Sequence, residues 1–134
     1  MSARRKARKR ALDFLYEADL RGTNALELYL ARGSDELAQE AYVEKLLRGV
    51  AEHQNKLDEL IMTYAQGWDM DRMPAIDRNL LRLSIYELLW EPELDEKIAI
   101  NEAVEMAAEL STNDSSSYIN GVLGRIAAIK GSLI

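Results

Sequence analysis

The 134-residue chain contains no cysteine, two prolines and a single histidine. The absence of cysteine excludes disulfides, thiolate metal sites and a cysteine nucleophile. With His53 as the one imidazole, a histidine-rich zinc or iron site is also excluded. No apolar run approaches the roughly 18 residues of a membrane span, and no apolar stretch follows the N-terminus as in a secretory signal. We therefore expect a cytoplasmic protein that makes no membrane contact, with residues 1–134 forming one domain.

Charge is distributed unevenly along the chain. Residues 1–10 hold six Lys and Arg and no acid, whereas the other 124 residues hold 11 Lys and Arg against 23 Asp and Glu, a formal net charge of -12. A basic tip attracts phosphate and an acidic body repels it, so a nucleic acid should bind at one end of the molecule. The six cations of this tip are Arg4, Arg5, Lys6, Arg8, Lys9 and Arg10.

Hydrophobic periodicity and helix stop signals predict an all-α fold of about seven helices. The predicted helices are 3–21, a short one from Asn24 to Gly33, one that opens after Ser34-Asp35-Glu36 and breaks at His53-Gln54-Asn55, one that carries 57–64, and then 75–90, 97–110 and 115–129, with Gly131 as the final stop. Residues 67–73 are interpreted as a linker between an N-terminal lobe of about 1–66 and a C-terminal lobe of about 67–134. The helix at 75–90 is apolar around its whole circumference, which indicates a central, buried helix.

The first helix carries a candidate RNA surface. Arg5, Lys9, Leu12 and Tyr16 are spaced to share one face. Cations on such a face can hold phosphates while the tyrosine ring stacks on a base, as in single-stranded RNA binding. The alternative is a solvated, charged N-terminus with a half-buried Tyr16, and the residues alone leave both interpretations open.

The last helix offers a second candidate. Tyr118 and Arg125 lie two turns apart on one side, and Gly121 between them leaves room for a ligand. The alternative is a packed Tyr118 whose hydroxyl reaches solvent. The spacing Gly121-x-x-Gly124 lacks the strand that precedes a dinucleotide loop, so it predicts close helix packing instead.

Other candidates for chemistry are weak. Glu102, Glu105 and Glu109 form an acidic row that is either solvated or receives a basic protein. No Glu-x-x-His pair is present to build a carboxylate-bridged metal site. Ser115 to Ser117 are interpreted as helix-start residues, and His53 as a surface or helix-end residue. We expect no enzyme activity, no catalytic residue, no metal and no cofactor.

Three segments, in order, resemble the NusB family of bacterial transcription antitermination factors. They are RRKARKRALDFLY at 4–16, PAIDRNLLRLSIYELLW at 74–90 and KIAINEAVEMAAELSTNDSSSYINGVLGRI at 97–126. The resemblance implies two three-helix lobes plus an extra helix. It also implies an RNA-binding adaptor that binds the boxA element of ribosomal RNA transcripts together with NusE, a basic small-subunit ribosomal protein, and joins other Nus factors on RNA polymerase.

The family's site residues carry over by position. The resemblance implies RNA contacts by Arg4, Arg5, Lys6, Arg8, Lys9, Tyr16 and Tyr118, and NusE contacts by Asp77 with its neighbours Arg78 and Arg82. One departure concerns the two residues before Tyr118, which are Ser116 and Ser117 where the family often has His-Lys. A cation at the RNA edge is therefore missing.

Two alternatives to the adaptor remain open. One is a free-standing relative of the NusB-like RNA-binding domain found on ribosomal RNA methyltransferases, without antitermination activity. The other is a protein-interaction module, for example a homodimer whose interface hides the RNA face.

Overall fold

The computed structural model describes residues 2–32 and 40–133. Within these ranges the chain forms seven α-helices and one 3-10 turn. The helices are α1 (Ala3–Arg21), α2 (Ala25–Arg32), α3 (Glu40–Tyr64), α4 (Ala75–Trp90), α5 (Glu96–Leu110), α6 (Ser115–Ala128) and α7 (Lys130–Leu133), and the 3-10 turn is Met70–Arg72. The predicted end of the second helix at Gly33 and the predicted start of the third after 34–36 lie outside the described residues.

The ends of α1 follow from local chemistry. Ser2 caps its N-terminus, because the Ser2 hydroxyl accepts a hydrogen bond from the backbone N–H of Arg5. Gly22 ends the helix in the left-handed conformation, with φ at 69°. Glycine adopts this conformation without steric cost, which is why it so often terminates helices.

Helix α4 is the centre of the fold, as its apolar circumference predicts. It contacts α1, α3, α5 and α6. Among its fully buried side chains are Leu80, Leu81, Leu83 and Ile85. The predicted boundary between two lobes near residue 66 stays a prediction, since α4 packs against helices from both halves of the chain.

The predicted break at His53-Gln54-Asn55 is wrong, because α3 runs through it. None of the three residues is a proline or glycine, and each costs only about 0.7 kcal/mol or less in a helix interior. The buried stripe continues across the segment from Val50 to Leu57. His53 lies between them on the same stripe and stacks on Trp90, with ring centroids 3.9 Å apart. It is therefore a half-buried mid-helix residue, and of the two predicted positions, surface or helix end, the helix end is wrong.

Two predictions about glycines are also wrong. Gly131 does not stop the last helix, because the chain kinks at Ile129 and then forms the single turn α7, which contains Gly131. Gly121 and Gly124 do not mediate close helix packing, since a Cβ built on either one would meet no atom within 4 Å. The close approach occurs instead at Gly49 of α3.

Gly49 lets α3 and α4 approach each other. A Cβ built on Gly49 would overlap the ring of Tyr86. That ring has little freedom to move, because Tyr86 is buried and its hydroxyl donates to Glu91 Oε1 at 2.9 Å. Lys45 of α3 pairs with the other oxygen of Glu91, also at 2.9 Å. Gly49 is thus required by packing.

We predict that Gly49→Ala destabilises the protein and that Gly124→Ala stabilises it. Alanine gains about 1 kcal/mol over glycine in a helix interior at either position. At Gly49 this gain is outweighed by overpacking against Tyr86, which costs about 1–3 kcal/mol. Urea unfolding of the two variants beside the wild type measures the difference. Equal stabilisation by both substitutions would contradict the close approach at Gly49.

Candidate nucleic-acid interface

Five of the six cations at the start of α1 divide into two groups, and the first consists of Arg8 and Arg5, whose charges are held by carboxylates of other helices. The Arg8 side chain is 4% exposed. Its Nε donates to both carboxylate oxygens of Glu87 in α4, at 2.8 and 3.0 Å, and its Nη1 donates to Glu102 of α5 at 2.9 Å. Burial disfavours the charged guanidinium, but the hydrogen bonds and charge of Glu87 outweigh it and raise the pKa of Arg8. Arg8 is therefore occupied by carboxylates inside the fold.

Glu87 brings a fourth helix, α3, to the same point. It accepts a hydrogen bond from the Tyr42 hydroxyl of α3 at 2.5 Å. Burial raises the pKa of Tyr42, and the negative charge of Glu87 raises it further, so the phenol stays protonated as a donor. The guanidinium of Arg4 lies 4.7 Å from the centre of the Tyr42 ring, a cation–π distance.

Arg5 belongs to the first group as well. Its guanidinium pairs with both Glu102 and Glu105 of α5. The acidic row of α5 is thus partly neutralised from within the chain. Only Glu109, the third member of the row, makes no ion pair among the described residues.

The second group consists of Arg4, Lys6 and Lys9, which we name the accessible cations. Arg4 and Lys6 are exposed. Lys9 is 41% exposed and forms a surface pair with Asp13 at 2.7 Å, of the kind that is worth little in water. The remaining cation of the tip, Arg10, lies over the Phe14 ring at 5.3 Å.

The predicted common face of α1 lies at the edge of the core. Leu12 is fully buried, whereas Arg5, Lys9 and Tyr16 are half-buried. Tyr16 therefore presents part of its ring to solvent on the same helix as the accessible cations.

Tyr118, in the first turn of α6, lines a groove. Its hydroxyl donates to the Gln66 carbonyl at 3.0 Å, and its ring meets Trp68 edge to face, with centroids 4.9 Å apart. A groove of about 360 Å³ runs past Tyr118, Gly121 and Arg125, in agreement with the predicted space beside Gly121. Burial raises the pKa of the Tyr118 phenol.

A larger groove between α5 and α6, of about 810 Å³, was not predicted from the sequence. Its polar lining includes Lys97, Asn101 and Asn120. Asn101 donates to Glu105, the partner of Arg5, at 3.3 Å, and Ser117 lines both this groove and the Tyr118 groove. The two grooves therefore adjoin at Ser117, and the larger one extends to Asn101. The sequence did contain a signal, since Asn101 is the only uncharged polar residue of α5.

The residues predicted to contact NusE lie in the first half of α4, and their surroundings differ. Asp77, to which the resemblance assigns a NusE contact, is fully buried. It accepts hydrogen bonds from the hydroxyls of Ser111 and Ser115, the latter at 2.6 Å. These bonds tie the first turn of α4 to the loop that precedes α6.

Arg78 and Arg82 line a cleft of about 580 Å³ together with Trp68 and Met70. Both arginines are held by Asp19 of α1, Arg78 at 2.8 Å and Arg82 at 3.4 Å. Arg82 also pairs with Asp58 of α3 at 2.8 Å. The charges of both side chains are thus balanced by acids of the N-terminal helices.

The described part of the chain contains neither a metal site nor a membrane span. Across residues 2–32 and 40–133 no group of three or more His, Cys, Asp or Glu side chains is arranged to hold a metal ion. Over the same residues no helix is both long enough and apolar enough to cross a membrane.

Comparison with known proteins gives one consistent family. The NusB family model matches residues 5–128. The transcription antitermination protein NusB of Salinispora arenicola is 53% identical over 131 residues, which cover 95% of this chain and 96% of the relative. The solved structure of T. maritima NusB has a TM-score of 0.84 at 30% identity and covers 96% of this chain and 92% of that one. A chain from the crystal structure of antitermination factors NusB and NusE in complex with dsRNA has a TM-score of 0.80 at 28% identity, covering 96% and 98%.

The cluster around Asp19 predicts a specific acid sensitivity. Burial acts to raise the pKa of Asp19, but hydrogen bonds from Arg78 and Asn79 and the charges of the two arginines outweigh it and lower the pKa. A carboxyl with a lowered folded-state pKa stabilises the fold above its unfolded value of about 3.9, and this contribution is lost as pH falls through the folded pKa.

Asp19→Asn should therefore lower stability at pH 7 and flatten the loss of stability below about pH 4. Urea unfolding between pH 7 and pH 3 tests this, with Asp13→Asn as the control that removes an exposed carboxylate. An acid-induced loss in Asp19→Asn as steep as in the wild type would contradict the assignment.

Proposed function

This chain belongs to the NusB family of transcription antitermination proteins, which are not enzymes, and from that membership we propose how it acts. It is an RNA-binding adaptor that holds the boxA element of ribosomal RNA transcripts together with NusE. Through NusE and other Nus factors it joins RNA polymerase on nascent transcripts in the cytoplasm. The observation that carries this proposal is the similarity, over nearly the whole chain, to a solved NusB bound to NusE and RNA.

The accessible cations supply the electrostatic part of RNA binding in this proposal. They lie within the first two turns of α1, and their charges are not held by buried carboxylates, unlike that of Arg8. Phosphate contacts of this kind position an RNA without reading its sequence. Arg8 acts indirectly, because its bond to Glu87 fixes the helix that presents these cations.

The aromatic residues and the grooves supply the part of binding that involves bases. Tyr16 and Tyr118 each present part of a ring for stacking, which contributes about 1–3 kcal/mol per base. The connected grooves offer Asn101 and Asn120, whose amides can donate to and accept from base edges. The RNA would then run from the start of α1 along the α5–α6 groove to Tyr118, with Lys97 as a cation on this path.

The cleft at the start of α4 is the place we propose for NusE. Trp68 and Met70 provide apolar surface there, and Arg78 and Arg82 provide donors whose charges are balanced by Asp19 and Asp58. Asp77 acts as a positioning residue, since it is buried and holds the loop before α6. A basic partner on this side would also reduce the acidic field that repels RNA.

The salt dependence of RNA binding tests the proposed interface. Each phosphate contact with single-stranded RNA contributes about -0.7 to the slope of log affinity against log salt, so the three accessible cations together contribute about -2. If all six cations of the tip contacted phosphate, they would contribute about -4 to the slope. Titration of a labelled single-stranded boxA RNA at several salt concentrations measures it.

Replacing the three accessible cations by Gln should make the slope shallower by about 2 and leave the helical circular dichroism unchanged. The matched control replaces Arg21, Arg48 and Arg72, which are exposed elsewhere, and removes the same charge. Equal effects of the two triple variants would contradict a specific RNA site at the start of α1. Substitution is preferred to truncation, because residues 1–10 include the buried Ala7 and Arg8.

A further inference from the structure

Arg5 lies beside the accessible cations, yet its own charge is held by α5. Its side chain is 16% exposed and pairs with both Glu102 and Glu105, with Nε donating to Glu102 at 2.6 Å. One helical turn separates Arg5 from Lys9. An RNA phosphate held by the accessible cations would therefore come within reach of Arg5.

The two carboxylates that hold Arg5 are not equivalent. Glu102 is 15% exposed and also binds the buried Arg8, so it is fixed from two sides. Glu105 is 52% exposed, and besides Arg5 it contacts Asn101, which lines the α5–α6 groove. Hydrogen bonding to Arg5, and then its charge, lower the pKa of Glu105, so this carboxylate stays ionised at neutral pH.

An exchange of partners at Arg5 is physically reasonable. An ion pair with a half-exposed carboxylate is weak in water and is screened by salt. A guanidinium and a phosphate form a charge-assisted, often bidentate pair. Phosphate can thus replace Glu105 at Arg5, whereas the buried pair between Arg8 and Glu87 keeps its partner.

We propose that Glu105 sets RNA affinity by competing with the RNA backbone for the guanidinium of Arg5. The inference rests on the proposed RNA-binding function and adds to it an acidic residue that opposes binding. Glu102 and Glu105 together neutralise Arg5 in the free protein, and an RNA gains the contact with Arg5 only by displacing Glu105, the exposed carboxylate of the two. An RNA that does not displace Glu105 therefore contacts one cation fewer.

The test compares Glu105→Gln with Glu109→Gln in titrations of a labelled single-stranded boxA RNA. Both variants remove one negative charge from the exposed side of α5, but Glu109 pairs with no described residue. We expect Glu105→Gln to bind RNA about two- to five-fold more tightly than Glu109→Gln, as expected for release of a surface ion pair. Thermal unfolding of both variants shows whether the fold is retained.

The same RNA titrations in an Arg5→Gln variant isolate the role of Arg5. In Arg5→Gln, the change Glu105→Gln should have no larger effect on affinity than Glu109→Gln, because the cation that Glu105 masks is gone. Equal tightening by both Gln variants in the wild-type background would overturn the proposal and leave only a general charge effect. Weaker binding by Glu105→Gln would also overturn it, since Glu105 would then be positioning Arg5 for RNA.

The RNA titrations distinguish a failure of this inference from a failure of the proposed function. If the wild type binds RNA with a salt dependence set by the accessible cations while the two Gln variants are alike, only the role of Glu105 is lost. If the wild type shows no salt-dependent binding to boxA RNA, the proposed function and this inference fall together.

Discussion

Arg8 of α1 and Glu87 of α4 form a buried ion pair at the point where four helices meet. Glu87 also accepts a hydrogen bond from the Tyr42 hydroxyl of α3, and Arg8 also donates a hydrogen bond to Glu102 of α5. Such a pair is not automatically more stable than a hydrophobic replacement, but loss of one partner leaves a buried charge at a cost of about 3–5 kcal/mol. The arrangement therefore holds the N-terminal half of α1 against α4 and α5, and with it the helix backbone that carries the accessible cations.

The division of the N-terminal cations depends on this pair. A tip of six positive charges looks uniform in the sequence, but the fold assigns Arg8 and Arg5 to carboxylates and leaves Arg4, Lys6 and Lys9 facing solvent. The acids of α5 thus balance charge within the chain, and in the proposed RNA site they limit how many cations an RNA can contact. In that proposal, fold stability and RNA affinity are coupled through α1, because neighbouring residues of this helix serve each of them.

How much could be predicted from the sequence depends on the range of the interactions. The helix at 75–90 and its central place followed from local pattern, and the comparisons confirm the family. The break at 53–55 failed because weak local preferences yielded to packing of α3 along α4. The partners of Arg8 and the burial of Asp77 depend on residues 34–94 positions away, and no local signal specifies them. The resemblance named the candidate site residues. It could not indicate which of them already have hydrogen-bond or ion-pair partners inside the fold.

The most direct test of this account is a double-mutant cycle on Arg8 and Glu87, measured by urea unfolding of Arg8→Met, Glu87→Met and the double variant. We predict that each single substitution costs about 3–5 kcal/mol and that the double variant costs no more than either single one, since it leaves neither charge buried alone. Single costs below about 1 kcal/mol that simply add in the double variant would contradict the account. The position of α1 would then not depend on this ion pair.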